Sequence, residues 1–279
     1  MIDVHTHIFS QYVRDHRDEL ARQNPVFSLI YSNKQARMIG VDELRRSMEQ
    51  EGVESSVSCG FPWDAAELCR RENDYLMECS QKYPQIIIPF ISLPRDPTEA
   101  ISELERCAQE GAPGVGELAP GTYGDELWNL DSIRPVCDAI REKGLPVLVH
   151  CNEPVGHPYP GKGHVRLGQM QSLVQALQGI HVILAHMGGG FIFYELMPEI
   201  AAMCQRVYYD TAAIPLIYDT KVYRTAISIV GSERILFGSD YPLLSPGRYV
   251  REMQEAGLNE AESRNILESN AKALLFGAL

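Results

Sequence analysis

What this sequence lacks narrows its function before any motif is read. It has no apolar run of about 18 residues and no basic stretch leading into an apolar one, so neither a membrane-spanning helix nor an export signal is expected. It is short of positive charge: 25 Lys and Arg stand against 37 Asp and Glu, a net charge of −12. Nucleic acid and anionic membrane are therefore poor partners, because both are bound through basic patches. The seven cysteines include no C-x-x-C pair. An odd number without that spacing makes neither a disulfide framework nor a zinc knuckle, and reads as free thiols in a reducing cytoplasm. Low-complexity linkers are missing too. With 45% apolar residues, ample for a sizeable core, residues 1–279 read as a single domain.

What is present is a regular alternation. Segments at about 2–7, 53–59, 85–93, 114–118, 145–150, 180–186, 207–210 and 234–238 read as strands, the β-branched apolar run at 85–93 as one buried on both faces. Between them lie helical patterns at about 41–51, 65–82, 97–110, 131–143, 166–178, 193–204 and 219–230, with another at 261–275. Asp96-Pro97-Thr98-Glu99 opens the third of these with an N-cap, a proline at the first helical position and a capping-box acid. Eight strands alternating with helices predict parallel βαβ units, and a closed (β/α)8 TIM-type barrel rather than a doubly wound open sheet. The one long connection, residues 8–40, carries Tyr12, Arg14, Arg17, Arg22, Tyr31 and Arg37 and is expected to be a substrate lid, with a plain structural insertion as the alternative.

In such a barrel, chemistry sits at the C-terminal ends of the strands. Four of the eight histidines stand there. His5 and His7 are two residues apart on the first strand, on one face of an extended chain. Pro146–Val149 runs into His150, and Val182–Ala185 runs into His186 and then Met187-Gly188-Gly189-Gly190. Ile235–Ser239 runs into Asp240, with Tyr241-Pro242 turning the chain away. Imidazoles and carboxylates converging from different strands make a metal site the natural reading. Cys151, beside His150, reads as a small buried apolar residue.

V-H-T-H, V-L-V-H, L-A-H-M-G-G-G and F-G-S-D-Y-P, in this order and at these strand ends, resemble the amidohydrolase superfamily. The closer likeness is to its "amidohydrolase 2" branch of metal-dependent hydrolases and decarboxylases, to which I-L-E-S-N-A at Ile266–Ala271 is also similar. The resemblance covers nearly the whole chain. It implies that His5, His7 and Asp240 hold one divalent metal, and that His150 and His186 hold a second or contribute to the first site or to substrate. Many relatives have a carboxylated lysine on the fourth strand. Here that strand offers Glu117, in a G-x-G-E context similar to TatD-like deoxyribonucleases, and its two oxygens suit it to bridge two cations. One or two ions are expected, zinc first and manganese second.

The activity so implied is hydrolysis of an ester, lactone or amide bond of a small molecule by metal-activated water, with Asp240 as the proton-transferring residue and His186 polarising the scissile group. The alternative is a metal-dependent decarboxylase of the same branch. A TatD-like phosphoesterase is disfavoured by the acidic charge. His157, Tyr159, Lys162 and His164, in the loop after the fifth strand, are candidate substrate contacts, and Asp210 is a candidate orienter of a ligand histidine. Substrate identity and self-association are left open.

Overall fold

The computed structural model describes residues 1–119, 130–159, 162–163 and 167–277, with backbone alone at 130–132. His164 lies outside the described residues, as does most of the connection after the fourth strand. Eight strands are formed: β1 (Ile2–Thr6), β2 (Ser55–Cys59), β3 (Ile87–Ile91), β4 (Gly114–Leu118), β5 (Val147–Val149), β6 (Val182–Leu184), β7 (Val207–Asp210) and β8 (Ile235–Leu236). They pair in sequence order and every pair is parallel. The ends of the sheet meet. Val4 donates its N–H to Phe237 O at 2.9 Å, Asp240 to His5 O at 2.9 Å and His7 to Tyr241 O at 2.8 Å, joining the segment after β8 to β1. This is the (β/α)8 barrel expected from the alternation.

Burial on both faces explains the apolar runs. Val147 and Val149, Val182 and Leu184 pack outward against helix residues such as Ile140, Leu173 and Val174. The alternate residues Ile88, Phe90, Leu148, Ile183 and Leu236 form a second cluster with Ile2 and Val4. Two ladders are irregular, β1–β2 between Asp3 and Thr6 and β4–β5 between Val115 and Leu118. Each irregularity spans a candidate ligand, His5 in one and Glu117 in the other. Such bulges re-aim a side chain relative to its strand.

Three segments differ from expectation. Residues 8–40 are not a plain loop but contain three short helices, Gln11–Asp15, Arg17–Gln23 and Pro25–Tyr31. They form an aromatic core of their own from Phe9, Phe27, Tyr31, Phe61 and Trp63. A helix at Pro246–Glu255 follows β8 where none was predicted. Its Ser-Pro-Gly start reads as a turn, although proline is also at home in a first helical turn. The helix expected at 193–204 is divided into a 3-10 turn, Phe191–Leu196, and a helix, Pro198–Met203, since Pro198 cannot continue a helical hydrogen-bond ladder. The C-terminal asparagine of I-L-E-S-N-A also finds a structural reason. Asn270 donates to Ser232 O and Ile235 O, both at 2.7 Å, and pins the last helix beneath β8.

Candidate metal centre and the cavity above it

Six side chains from β1, β4, β5, β6 and the end of β8 converge at the C-terminal mouth of the barrel. They fall into two groups, His5, His7 and Asp240, and Glu117, His150 and His186, with donor atoms in each group within 4.8 Å of one another. Local backbone makes this convergence feasible. Gly189 has φ +56, and a Cβ there would lie 2.5 Å from Asn152 O, so the M-G-G-G run lets the chain after His186 pass close to the chain after His150. At Gly238 a Cβ would lie 2.9 Å from that of His5, so glycine also sets the approach of β8's end to β1. Asp3 braces the junction, accepting N–H bonds from His5 at 3.1 Å and Ser239 at 3.0 Å.

Tautomers decide where the lone pairs point. His5 Nδ1 lies 2.8 Å from Asp210 Oδ2, so it carries the hydrogen and leaves Nε2 with its lone pair facing the cluster. His186 Nδ1 donates to Ala212 O at 2.9 Å, with the same consequence for its Nε2. These inward nitrogens meet other imidazole nitrogens, His5 Nε2 with His7 Nε2 at 3.2 Å and His186 Nε2 with His150 Nδ1 at 3.3 Å. Two lone pairs so close repel unless a cation or a proton stands between them. Glu117 reaches all four histidines: Oε1 is 2.9 Å from His150 Nδ1, 3.6 Å from His5 Nε2 and 3.9 Å from His186 Nε2, and Oε2 is 3.7 Å from His7 Nε2. Asp240 Oδ1 is 3.4 Å from His7 Nε2 and 3.9 Å from His5 Nε2.

The field is strongly polarised. Burial opposes charge on His5, but Glu117, Asp210 and Asp240 outweigh it and push its pKa up to about 10, so the same field that favours a proton on Nε2 favours a cation that displaces it. Burial likewise opposes charge on Glu117 and Asp240, yet the surrounding histidines hold both carboxyls well below their ordinary range. Buried acids that stay ionised beside imidazoles with pre-set tautomers are the donor set a divalent cation requires, so the residues present fit such an ion.

Above the cluster lies a cavity of about 590 Å³, which His7, Glu117, His150, His186 and Asp240 help to line. Its walls come from Val26, Ile30 and Tyr31 of the insertion, Phe61 and Pro62 after β2, and Leu216, Ile217 and Leu243 from the loops after β7 and β8. His157 and Tyr159, expected at the mouth, are part of the lining. Lys162 is not: its ammonium donates to Val155 O at 2.7 Å and His157 O at 3.2 Å and so braces its own loop. The expectation of a substrate-binding cation there is corrected accordingly. The apolar wall was not anticipated. Its residues sit in connections without periodicity, and only folding gathers them.

The model of the amidohydrolase family matches residues 2–277. The chain belongs to the amidohydrolase family. Among its curated relatives is a gamma-resorcylate decarboxylase of Rhodococcus jostii (strain RHA1), 25% identical, the match covering 86% of this chain and 89% of that protein. A 5-carboxyvanillate decarboxylase from Sphingomonas paucimobilis superposes with a TM-score of 0.77 at 18% identity, over 99% of this chain and 98% of the other. A dihydroxybenzoic acid decarboxylase from Polaromonas sp. JS666, solved with manganese and the inhibitor 2-nitroresorcinol, gives a TM-score of 0.72 at 21% identity, over 99% and 96%. These findings correct two expectations. The curated relatives matched over most of the chain are decarboxylases, so the expectation of an ester-, lactone- or amide-cleaving hydrolase is overturned and the alternative is better supported. Zinc loses its preference as well, since the related structure holds manganese.

Proposed function

We propose that this member of the amidohydrolase family is a metal-dependent decarboxylase of small, ring-bearing carboxylic acids, acting as one barrel unit. The observation that carries the reaction class is the match over 86% of the chain to gamma-resorcylate decarboxylases. The cavity supports it: an apolar and aromatic wall suited to a flat ring stands over a floor of imidazoles and carboxylates. On this reading His5, His7 and Asp240 seat one divalent ion, manganese first, and Glu117, His150 and His186 extend the site and can seat a second. The ion would supply fixed positive charge against the substrate's oxygens.

The chain's own residues do the rest. Asp210 and the Ala212 carbonyl hold His5 and His186 in the tautomers that face the site. Tyr31 and Phe61 cover the ring and keep water from it. The C–C bond to the carboxylate breaks, carbon dioxide leaves, and the electron pair left on the ring carbon takes up a proton. Asp240, a cavity-lining carboxylate, takes a proton from water and passes it to that carbon, while His186, its Nε2 lone pair turned into the site, would help to hold the ion against the reacting carboxylate. The seven cysteines are all buried and unpaired, in keeping with a reducing cytoplasm.

The test is carbon dioxide release by manganese-loaded protein from 2,6-dihydroxybenzoate and related hydroxybenzoates. Turnover is expected in the native protein, and Asp240→Asn should lower it by about 10²–10⁴-fold with the circular dichroism unchanged. Absence of carbon dioxide from every acid at full metal content would overturn the reading.

A further inference from the structure

The insertion between β1 and β2 contains four arginines, and the structure assigns them different work. Arg14 is spent on the insertion's own frame, donating to Gln11 Oε1 at 2.7 Å and lying 3.4 Å from Glu43 Oε2. Arg17 donates to Tyr31 O at 2.7 Å and to Asn33 O, tying off the end of the third short helix. Arg22 is exposed and does not line the cavity. Arg37 does. Among the described residues it is the only lysine or arginine in the cavity wall. No described carboxylate neutralises it. What it has instead is the ring of Tyr241, with the guanidinium 5.4 Å from the ring centroid and Nη2 3.4 Å from the phenol oxygen.

Arg37 is itself exposed, but the residues on either side of its perch are anchored. Tyr241 is buried and follows Asp240 directly, and its carbonyl takes the His7 N–H at 2.8 Å. Two residues beyond Arg37, Ile39 is buried and accepts the Phe9 N–H at 2.8 Å. A guanidinium stacked on an aromatic face keeps its outward N–H groups free, in a planar fork that matches a carboxylate. The cavity therefore has two places for anions: the floor, where the reacting carboxylate lies, and Arg37 on the wall.

We propose that Arg37 selects substrates carrying a second carboxylate, one that is not lost. This rests on the decarboxylase reading and names its substrate class as ring dicarboxylates. In the reaction one carboxylate departs as carbon dioxide and its ring carbon takes up a proton. The other stays intact on Arg37, and the product is a monocarboxylate. Arg37 is thus a specificity residue that contacts the substrate away from the bond that breaks.

The experiment compares manganese-loaded native protein, Arg37→Met and Arg37→Lys on a hydroxyisophthalate and on 2,6-dihydroxybenzoate. Arg37→Met should raise KM for the dicarboxylate by about 10–100-fold with kcat little changed. Arg37→Lys, a point charge without the fork, should fall between. KM for the monocarboxylate should move less than about threefold, since no charged hydrogen bond is lost there. Equal losses on both acids, or none on either, would overturn the proposal. In parallel, calorimetric titration with isophthalate and with benzoate reads binding alone. Isophthalate should bind about tenfold or more weakly to Arg37→Met and benzoate equally to both proteins, whereas unchanged isophthalate affinity would overturn the assignment. If the native protein decarboxylates neither acid, the decarboxylase reading fails while the titration still decides for or against Arg37.

Discussion

Asp210 bears more of the site's geometry than any residue that faces the cavity. It is fully buried. Its Oδ2 takes the His5 Nδ1 hydrogen at 2.8 Å, while Oδ1 takes the backbone N–H groups of His186 at 2.8 Å and Ala212 at 3.0 Å. One carboxylate thereby sets the tautomer of one candidate ligand and the backbone position of another. Asp210→Asn should lower divalent-metal affinity by about 10–100-fold, measured by competition with a chelator, with little change in circular dichroism. Native-like affinity would remove its orienting role. The sequence marks Asp210 as an acid at a strand's end. It does not reveal the partners, because β7 meets β1 across the mouth of the barrel only after closure. Glu117 is similar: its position on the fourth strand was legible, whereas its reach to four histidines depends on the irregular ladder beside it.

Among the elements, the insertion 8–40 departs furthest from its expected form. As a bare loop it would swing freely. As three helices around Phe9, Phe27, Tyr31, Phe61 and Trp63 it is a packed wall, with Phe27 fully buried and its ring centroid 5.1 Å from that of Trp63. Phe27→Ala should cost about 3–5 kcal/mol of local packing. Because such openings are confined to one cooperative unit, trypsin should cut at Arg14, Arg17 or Arg22 about a hundredfold faster or more, with the barrel intact. An unchanged cleavage rate would show that this cluster does not hold the insertion. The sequence hid these helices because each is too short for an apolar period to repeat. The local signals of a helix start are Ser10, capping Val13 N at 3.3 Å, and Asn24, capping Phe27 N at 2.8 Å with Pro25 next.

For the whole molecule, stability at acid pH should turn on buried carboxylates outside the metal cluster. Glu103 joins two helices of the outer ring, accepting from Asn73 Nδ2 at 2.8 Å and from Arg106 Nη2 at 2.7 Å and Nε at 2.9 Å. Burial pushes its pKa up, but the bonds from Arg106, Asn73 and Cys107 together push it further down, below the ordinary glutamate value. A carboxylate depressed in the fold stabilises fully above its unfolded pKa of about 4.3 and loses that contribution as pH falls through the folded value. Glu103→Gln should therefore destabilise by about 1–3 kcal/mol near neutrality, and the gap from the native protein should close below about pH 4. Urea titrations at neutral and acid pH measure both. A gap that widened in acid would contradict the assignment.

The amino-acid sequence by itself determined the barrel, because most strands buried on both faces are largely apolar and helices buried on one face are periodic, and both patterns survive as one-dimensional signals. It also determined which strand ends carry histidine and acid, since a strand's end is local. The wall of the cavity, the tautomers fixed by Asp210 and Ala212, the diversion of Lys162 to its own loop and the seat of the Arg37 guanidinium on Tyr241 were decided by tertiary structure. Each depends on which distant segment arrives beside it, and loops and turns carry no period from which that arrival could be read. The reaction was not legible either. The same ligand types at the same strand ends serve hydrolysis and decarboxylation alike, and what separates the two is the space above them.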